Sequence, residues 1–311
     1  MVDILLMLLL AIAIDLALGE PPHFIHPVVW LGKVTSFLEK GGHDKPHVFQ
    51  FLYGTGMVLI TVALFTAPVY FLLFYLKDIS FPVYVAIGAL LLKTTFSLEE
   101  LRRAALRVKR FLIEDKLAKA RFELRALVSR DTKDLPKPLL VSAAVESVAE
   151  GTVDSFVAPL FYCLLFGIPG AMAYRVVNTL DAMVGYHGKY EYLGKFASRL
   201  DDILNFIPAR LTAGLLVLAA FLSRRDRRAA WRVALSEHTK TESLNAGWPI
   251  AAVAGALNVQ LDKAGHYRLG KPAVPLVPET ISASLQLMQI TASAWVLICL
   301  ITGVIYHVAT A

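Results

Sequence analysis

Charge is scarce in this chain and cysteine scarcer: 18% of its 311 residues are Asp, Glu, Lys or Arg, and there are two Cys. Cys163 and Cys299 lie far apart in apolar runs without CxxC or Cys-His spacing. That argues against a disulfide framework and a thiolate metal site, and leaves both as packing residues. There is no GxxxxGK[ST]; LGKF near 193 lacks the upstream glycine spacing and the hydroxyl. No GxGxxG follows a strand. A soluble NTPase or dinucleotide enzyme is therefore unsupported, and no nucleic acid is expected as a partner, because the basic residues are mixed with acids and no binding motif accompanies them.

What the chain has in quantity is apolar sequence: 56% of it is hydrophobic, with a mean hydropathy of +0.58. Apolar runs occupy 1–19, 51–76, 81–98, 155–174, 207–222 and 284–307. About 20 residues cross a bilayer core as helix. The composition therefore predicts an all-α polytopic integral membrane protein with five or six intramembrane segments. The first run carries Asp3 and Asp15 and lacks a basic flank, so it reads as a helix of the mature protein rather than a signal peptide.

Between Glu99 and Lys137 stand twelve Lys or Arg against seven Asp or Glu, five of the six excess positives of the whole chain. The positive-inside rule places this segment in the cytoplasm. Leu101, Ala105, Leu106, Val108 and Leu112, then Leu117, Ala120, Leu124 and Leu127, recur at helical spacing around a break near Glu114 and Asp115, predicting two amphipathic cytoplasmic helices. The hairpin 51–76/81–98, turning at KDISFP, reads as a plain membrane anchor. Pro21 and Pro22 end the first helix at the rim. Glu20 and His23 then lie in an interfacial loop with Trp30 as headgroup anchor, while Asp15, an acid inside an apolar run, is a functional candidate.

The informative stretch is 139–212. Glu146, Glu150 and Asp154 recur at i, i+4 and i+8, placing three carboxylates on one helix face, where either a hard cation or the many nearby Arg residues would relieve their repulsion. Asp181, Asp201 and Asp202 add acids, and Arg175, Arg199 and Arg210 add guanidinium groups suited to phosphate or carboxylate. GIPG at 167–170 breaks the run 155–174 into halves too short to span, so it is a kinked helix or a re-entrant hairpin lining a cavity. RRDRR at 224–228 also reads as cytoplasmic, so 155–174 and 207–222 must both cross or both re-enter, and re-entry keeps every charged motif on the cytoplasmic side. His238, His266, Tyr267 and Arg268 lie in a more soluble stretch with NAGWP. The whole is expected to be one membrane-embedded domain, 1–311: N-terminal helices and hairpin (1–98), cytoplasmic basic and acidic helices (99–154), broken intramembrane segments (155–222), a cytoplasmic segment (223–283) and a C-terminal helix (284–311). The residues alone leave an intramembrane Mg²⁺-dependent enzyme of phosphorylated substrates, or a transporter or sensor with an acidic site.

DLALGEPPHFIHPVVWLG, SRDT, AAVESVAE, DSFVAPLFY, GIPGAMAYRVVNTLDAMVGY, ASRLDDILNFIPARLTA and NAGWPIAAVAGALNV, in this order over residues 15–270, resemble the consecutive motifs of the CobD/CbiB family of cobalamin biosynthesis, the adenosylcobinamide-phosphate synthases. The family usually has Asn where this chain has Gly151, and a HPSPNAGWP-like run where it has TESLNAGWP. The resemblance implies a multi-pass enzyme of the cytoplasmic membrane, its active site facing the cytoplasm. Such an enzyme joins the propionate carboxylate of adenosylcobyric acid to aminopropanol or its O-phosphate, using ATP and Mg²⁺. Association with other enzymes of that pathway is a further expectation. On this reading Glu146, Glu150, Asp154, Asp181, Asp201 and Asp202 are metal candidates, and Glu150, Asp154, Asp181 and Arg210 catalytic candidates. Arg130, Asp131, Arg199, Asn178, Asn245, His266 and Tyr267 are assigned to ATP and substrate, and Asp15, Glu20 and His26 to the rim where the corrinoid docks. A membrane transferase of isoprenoid diphosphates, which also uses Asp-rich Mg²⁺ motifs, is the competing enzyme class.

Overall fold

The computed structural model describes residues 2–22, 24, 26–42, 45–186, 188 and 190–310. Five stretches are long and apolar enough to cross a membrane: His47–Ile79, Phe81–Ile113, Lys137–Val184, Lys195–Leu222 and Pro278–Thr310. The N-terminal helix α1 (Val2–Leu18), at 17 residues, falls just short. The chain is thus the helical, multi-pass membrane protein its composition calls for. It forms two compact units interleaved in sequence, one of 1–97, 158–204 and 299–311, the other of 98–157 and 205–298.

The first unit contains α1, α2 (Pro27–Leu38), α3 (His47–Ile79), α4 (Phe81–Lys93), α8 (Ala158–Val184) and the beginning of α9 (Lys195–Leu222). α1 packs on α4, and α8 packs on α2 and α3. Leu31, Met57, Val58, Val176, Leu180, Val184 and Ala197 form a core among α2, α3, α8 and α9. Leu59, Ile60, Leu64, Phe71 and Phe74 on α3 stay exposed, as side chains facing lipid do; hydrocarbon tails receive them without cost. Gly54 lets α3 lie directly against the chain, since a Cβ there would run into the Leu193 carbonyl. The break expected in 155–174 falls at Gly167, whose φ of 70° and ψ of −168° interrupt α8 two residues before Pro169. Only glycine adopts that conformation readily.

The second unit holds α5 (Leu98–Ile113), α6 (Leu117–Leu124), α7 (Lys137–Thr152), a π-helical turn (Val153–Val157), the rest of α9, α10 (Arg227–Glu237), α11 (Gly247–Leu257) and part of α12 (Pro278–Thr310). The amphipathic pair is present as expected, with Asp115 at φ 54° marking the turn between α5 and α6. α7 is its axis. Leu140 through Glu146 are all buried there. α11 is apolar on every side and buried at every position but Trp248, the environment an all-round hydrophobic helix requires. A two-stranded antiparallel hairpin, β1 (Gln260–Lys263) and β2 (Tyr267–Gly270), pairs Lys263 with Tyr267 and packs on α7. The sequence does not announce this strand pair.

Candidate functional site

Within the second unit, four residues read from the sequence line one cavity of about 140 Å³: Arg130, Glu146, Glu150 and Tyr267, joined there by Lys263 and Ser147. Local chemistry sets each in place. Arg130 sits in the turn before α7, which is tied down by the Thr132 hydroxyl donating to the Arg121 carbonyl (2.9 Å) and Arg121 donating to the Leu135 carbonyl (3.0 Å). The hairpin is pinned by Ser142, whose Oγ accepts from the Asp262 amide at 2.7 Å and donates to Glu146 at 2.7 Å. Tyr267 Oη donates to the other Glu146 oxygen at 2.9 Å. Burial first, then the neighbouring Glu146 charge, raises the Tyr267 phenol well above its ordinary value, so it remains a hydrogen-bond donor. Both Glu146 oxygens thus accept protein hydrogen bonds, and the side chain orients its neighbours.

Arg130 is less tightly held. Its Nη2 lies 3.4 and 3.5 Å from the two Glu146 oxygens, long for a charge-assisted bond, which usually spans about 2.7–2.9 Å. Its buried Nε has no hydrogen-bond partner among the described residues. Glu150 is exposed and Asp154 half-buried, whereas Glu146 is buried. The shared face expected for the three carboxylates is therefore not one environment; the π-helical turn that contains Asp154 widens the helix and shifts its register. Among the described residues no three His, Cys, Asp or Glu side chains converge as a metal site. Mg²⁺ commonly takes only one or two protein carboxylates, the rest of its shell coming from water and substrate phosphates. Asp131 turns its carboxylate to the Lys133 amide (3.0 Å), and His266, exposed, meets Glu242 at 2.8 Å. Gly151, the departure from the family pattern, faces Leu101, whose Cδ2 would lie 2.8 Å from a Cβ there.

A second cluster in the same unit gathers the NAGWP motif. Arg210 donates to the Phe206 carbonyl at 2.7 Å and to Asn245 Oδ1 at 3.2 Å. Its guanidinium lies 3.5 Å from the Phe206 ring centroid and 5.1 Å from that of Trp248. Trp248 stacks on His238 at 3.9 Å, and its buried Nε1 has no hydrogen-bond partner among the described residues.

The rim residues belong to the first unit. Lys93, in the hairpin that reads as a plain anchor, is buried and lies 3.1 Å from Asp15 and 2.8 Å from Glu20. The anchor expectation is corrected there: Lys93 is a basic residue within the apolar run 81–98, and such a residue is a functional candidate by default. His26 accepts from the Val28 amide through Nδ1 (3.1 Å), capping α2, so its Nε2 donates to Glu20 at 2.7 Å. Burial pushes the Glu20 carboxyl up, but hydrogen bonds from His26 and Lys93 and the Lys93 charge outweigh it and hold the group at about 2. Glu20 is a fixed anion here rather than a base. His23 lies outside the described residues. Further along this unit Asn178 meets Asp201 at 3.2 Å, and Arg199, exposed, meets Asp202 at 3.4 Å. Asp181 lies half-buried on α8, its carbonyl accepting from the Gly185 amide. The acids of 139–212 are therefore shared out: Glu146, Glu150 and Asp154 stand in one unit and Asp181, Asp201 and Asp202 in the other.

Sequence reasoning missed Lys93, Lys263 and Ser142. The first carried a signal, as a lone cation in an apolar run. The other two did not, because a lysine in a polar stretch and a serine in an apolar helix are ordinary.

A multi-pass helical chain that draws its ionisable residues into buried, hydrogen-bonded clusters is a membrane protein with polar sites built into its helices. Comparison with known proteins makes the assignment particular: the family model described as CobD/Cbib protein matches residues 8–294, and the chain belongs to that family, which serves cobalamin biosynthesis. It is 56% identical to the cobalamin biosynthesis protein CobD of Dehalococcoides mccartyi over 98% of both chains. It is 43% identical to the probable cobalamin biosynthesis protein CobD of Methanothermobacter thermautotrophicus, over 91% of this chain and 93% of the relative. The corresponding protein of Thermococcus kodakarensis is 41% identical over 95% and 96%. No solved structure matches the chain.

Proposed function

We propose that this protein is the ATP- and Mg²⁺-dependent amide ligase of the pathway, joining the propionate carboxylate of adenosylcobyric acid to the amine of aminopropanol or its O-phosphate at the cytoplasmic face of the membrane. The observation that carries the reading beyond family membership is the Arg130 cavity, which a guanidinium only loosely paired with Glu146 lines together with Lys263 and Tyr267. The Arg130 guanidinium and the Lys263 ammonium are the donors a phosphoryl group needs, and Glu150 at the same cavity would supply the carboxylate a phosphate-bound Mg²⁺ takes. The residues present therefore fit both groups.

Bound ATP and Mg²⁺ would supply carboxylate activation by phosphorylation and neutralisation of the charge. The protein's share is positioning. Glu146, fixed by Ser142 and Tyr267, keeps a loose ion pair with Arg130 at the cavity wall. Arg210, 3.5 Å from the Phe206 ring centroid and bonded to Asn245, would offer its remaining N–H donors to a carboxylate or phosphate. Asp15, Glu20, His26 and Lys93 brace the loop expected to meet the corrinoid. Asp154, Asp181, Asp201 and Asp202 are the remaining metal candidates, and Arg199, Asn178 and His266 the remaining ligand contacts.

Purified protein in detergent, given adenosylcobyric acid, aminopropanol or aminopropanol phosphate, Mg²⁺ and ATP, should release the amide and ADP together. Absence of both sinks the ligase reading. Consumption of an isoprenoid diphosphate without ATP would favour the transferase instead. Glu150→Gln should abolish turnover in a folded protein; near-normal activity would remove Glu150 from the site.

A further inference from the structure

We propose that the cavity between α7 and the β1–β2 hairpin receives a single phosphoryl group, held by the Arg130 guanidinium and the Lys263 ammonium; the inference rests on the reading of this cavity as part of a ligase site and adds Lys263 to it. Three observations carry it.

The first is size. A cavity of about 140 Å³ holds the volume of about four or five waters, against roughly 300–1,000 Å³ for pockets that enclose whole ligands. A nucleotide or corrinoid does not fit inside. A tetrahedral phosphoryl group at the end of a longer molecule does.

The second is the state of the donors. Glu146 already accepts from Ser142 and Tyr267, so its charge is met without a short bond from Arg130. The guanidinium is held to Glu146 only by long contacts of 3.5 and 3.4 Å, so its terminal nitrogens keep donor capacity for a ligand. Lys263 lies 5.9 Å from the Tyr267 ring centroid and makes no ion pair among the described residues. Two cations with spare donors therefore line one small space.

The third is rigidity. Lys263 pairs with Tyr267 across the hairpin, a three-residue turn with Gly265 at φ 79° joins them, and Ser142 fastens the strand to α7 through the Asp262 amide. The hairpin thus holds the lysine stem in register with a donor already committed to Glu146. Glu150 on the same wall would repel a bare phosphate, and its presence favours a phosphoryl group that arrives with a divalent cation.

The test is direct binding to the full-length protein in detergent with Mg²⁺, measured by calorimetry for inorganic phosphate, ATP, ADP, aminopropanol and aminopropanol phosphate, for the unaltered protein, Lys263→Gln and Arg130→Gln. Removing one charge-assisted hydrogen bond should weaken the occupying ligand about 10- to 100-fold. If ATP weakens and ADP does not, the group is the terminal phosphoryl of the nucleotide. If aminopropanol phosphate weakens and aminopropanol does not, it is the phosphate of the amine. Loss for inorganic phosphate alone assigns a free-phosphate site. Each of these supports the proposal. Unchanged affinity for every phosphorylated ligand in Lys263→Gln, at an unchanged melting temperature, overturns it. If the unaltered protein forms neither amide nor ADP yet Lys263→Gln still loses phosphate binding, the ligase reading fails and the phosphoryl site stands.

Discussion

The Lys93 ammonium lies 3.1 Å from Asp15, and both side chains are almost wholly enclosed, at 3% and 2% exposure. Removing one member of such a pair leaves its partner charged and desolvated. Lys93→Met should cost about 3–5 kcal/mol, read as a fall in melting temperature in detergent, with Lys93→Arg retaining more of the stability. A Lys93→Met protein that melts with the parent would show that the pair is not sustaining the fold of its unit.

Glu20 gives that same cluster a pH dependence whose sign is fixed. Its carboxyl is held at about 2, below its ordinary value of 4.5. The stability it adds is fully present above pH 4.5 and is lost as pH falls through 2. With a quarter of the side chain reached by water, the contribution is about 2 kcal/mol. Glu20→Gln should flatten the stability profile between pH 5 and pH 2, as measured by acid titration followed by circular dichroism; an unaltered acid limb would contradict the ion-pair account.

Gly167→Ala tests the break in α8. A Cβ there meets nothing closer than Pro169 Cδ at 3.6 Å, so space is not the obstacle. The φ of 70° is, and forcing alanine into it costs about 1–3 kcal/mol. Gly54→Ala has the opposite cause, collision with the Leu193 carbonyl, and should also destabilise. Equal melting temperatures for parent and Gly167→Ala would mean that the kink is not held.

Tyr267→Phe strips one donor from the buried Glu146 carboxylate and leaves the ring in place. The loss should be about 1–3 kcal/mol, and the loosened Arg130 should weaken binding of phosphorylated ligands more than it lowers the melting point. Calorimetry and thermal melts on one preparation separate the two effects.

Arg210→Lys keeps the charge but loses the guanidinium over the Phe206 ring and the Nη1 that donates to both the Phe206 carbonyl and Asn245. Turnover in the proposed amide-forming reaction should fall at least about tenfold, while stability changes by no more than about 1 kcal/mol. Full activity in the lysine variant would reduce Arg210 to a surface charge.

Much of this was legible in one dimension. Helices 51–76 and 284–307, the α5–α6 pair with its turn at Asp115, and the interruption at Gly167 all follow from run length, apolar spacing and glycine or proline placement, which act over a few residues. The Arg130, Glu146, Glu150 and Tyr267 set was legible only as single candidates for separate phosphate, metal and substrate roles. Its geometry was not, because Tyr267 reaches Glu146 across 121 positions of sequence, and no local pattern encodes such a meeting. The three-carboxylate face was read with ideal helical spacing, and burial then separated Glu146 from Glu150.

The sequence by itself determined the solvent: apolar runs of this length place the chain in a membrane, since transfer of side chains between water and hydrocarbon depends on composition. Its ordered motifs also determined the family. Only the tertiary structure decided which charges are partners. It turned Lys93 from part of an anchor into the counter-ion of Asp15 and Glu20, made Glu146 a support for Arg130 and Tyr267, and brought Lys263 to the cavity wall. The physical reason is that desolvation and ion pairing are set by what surrounds a charged atom in space.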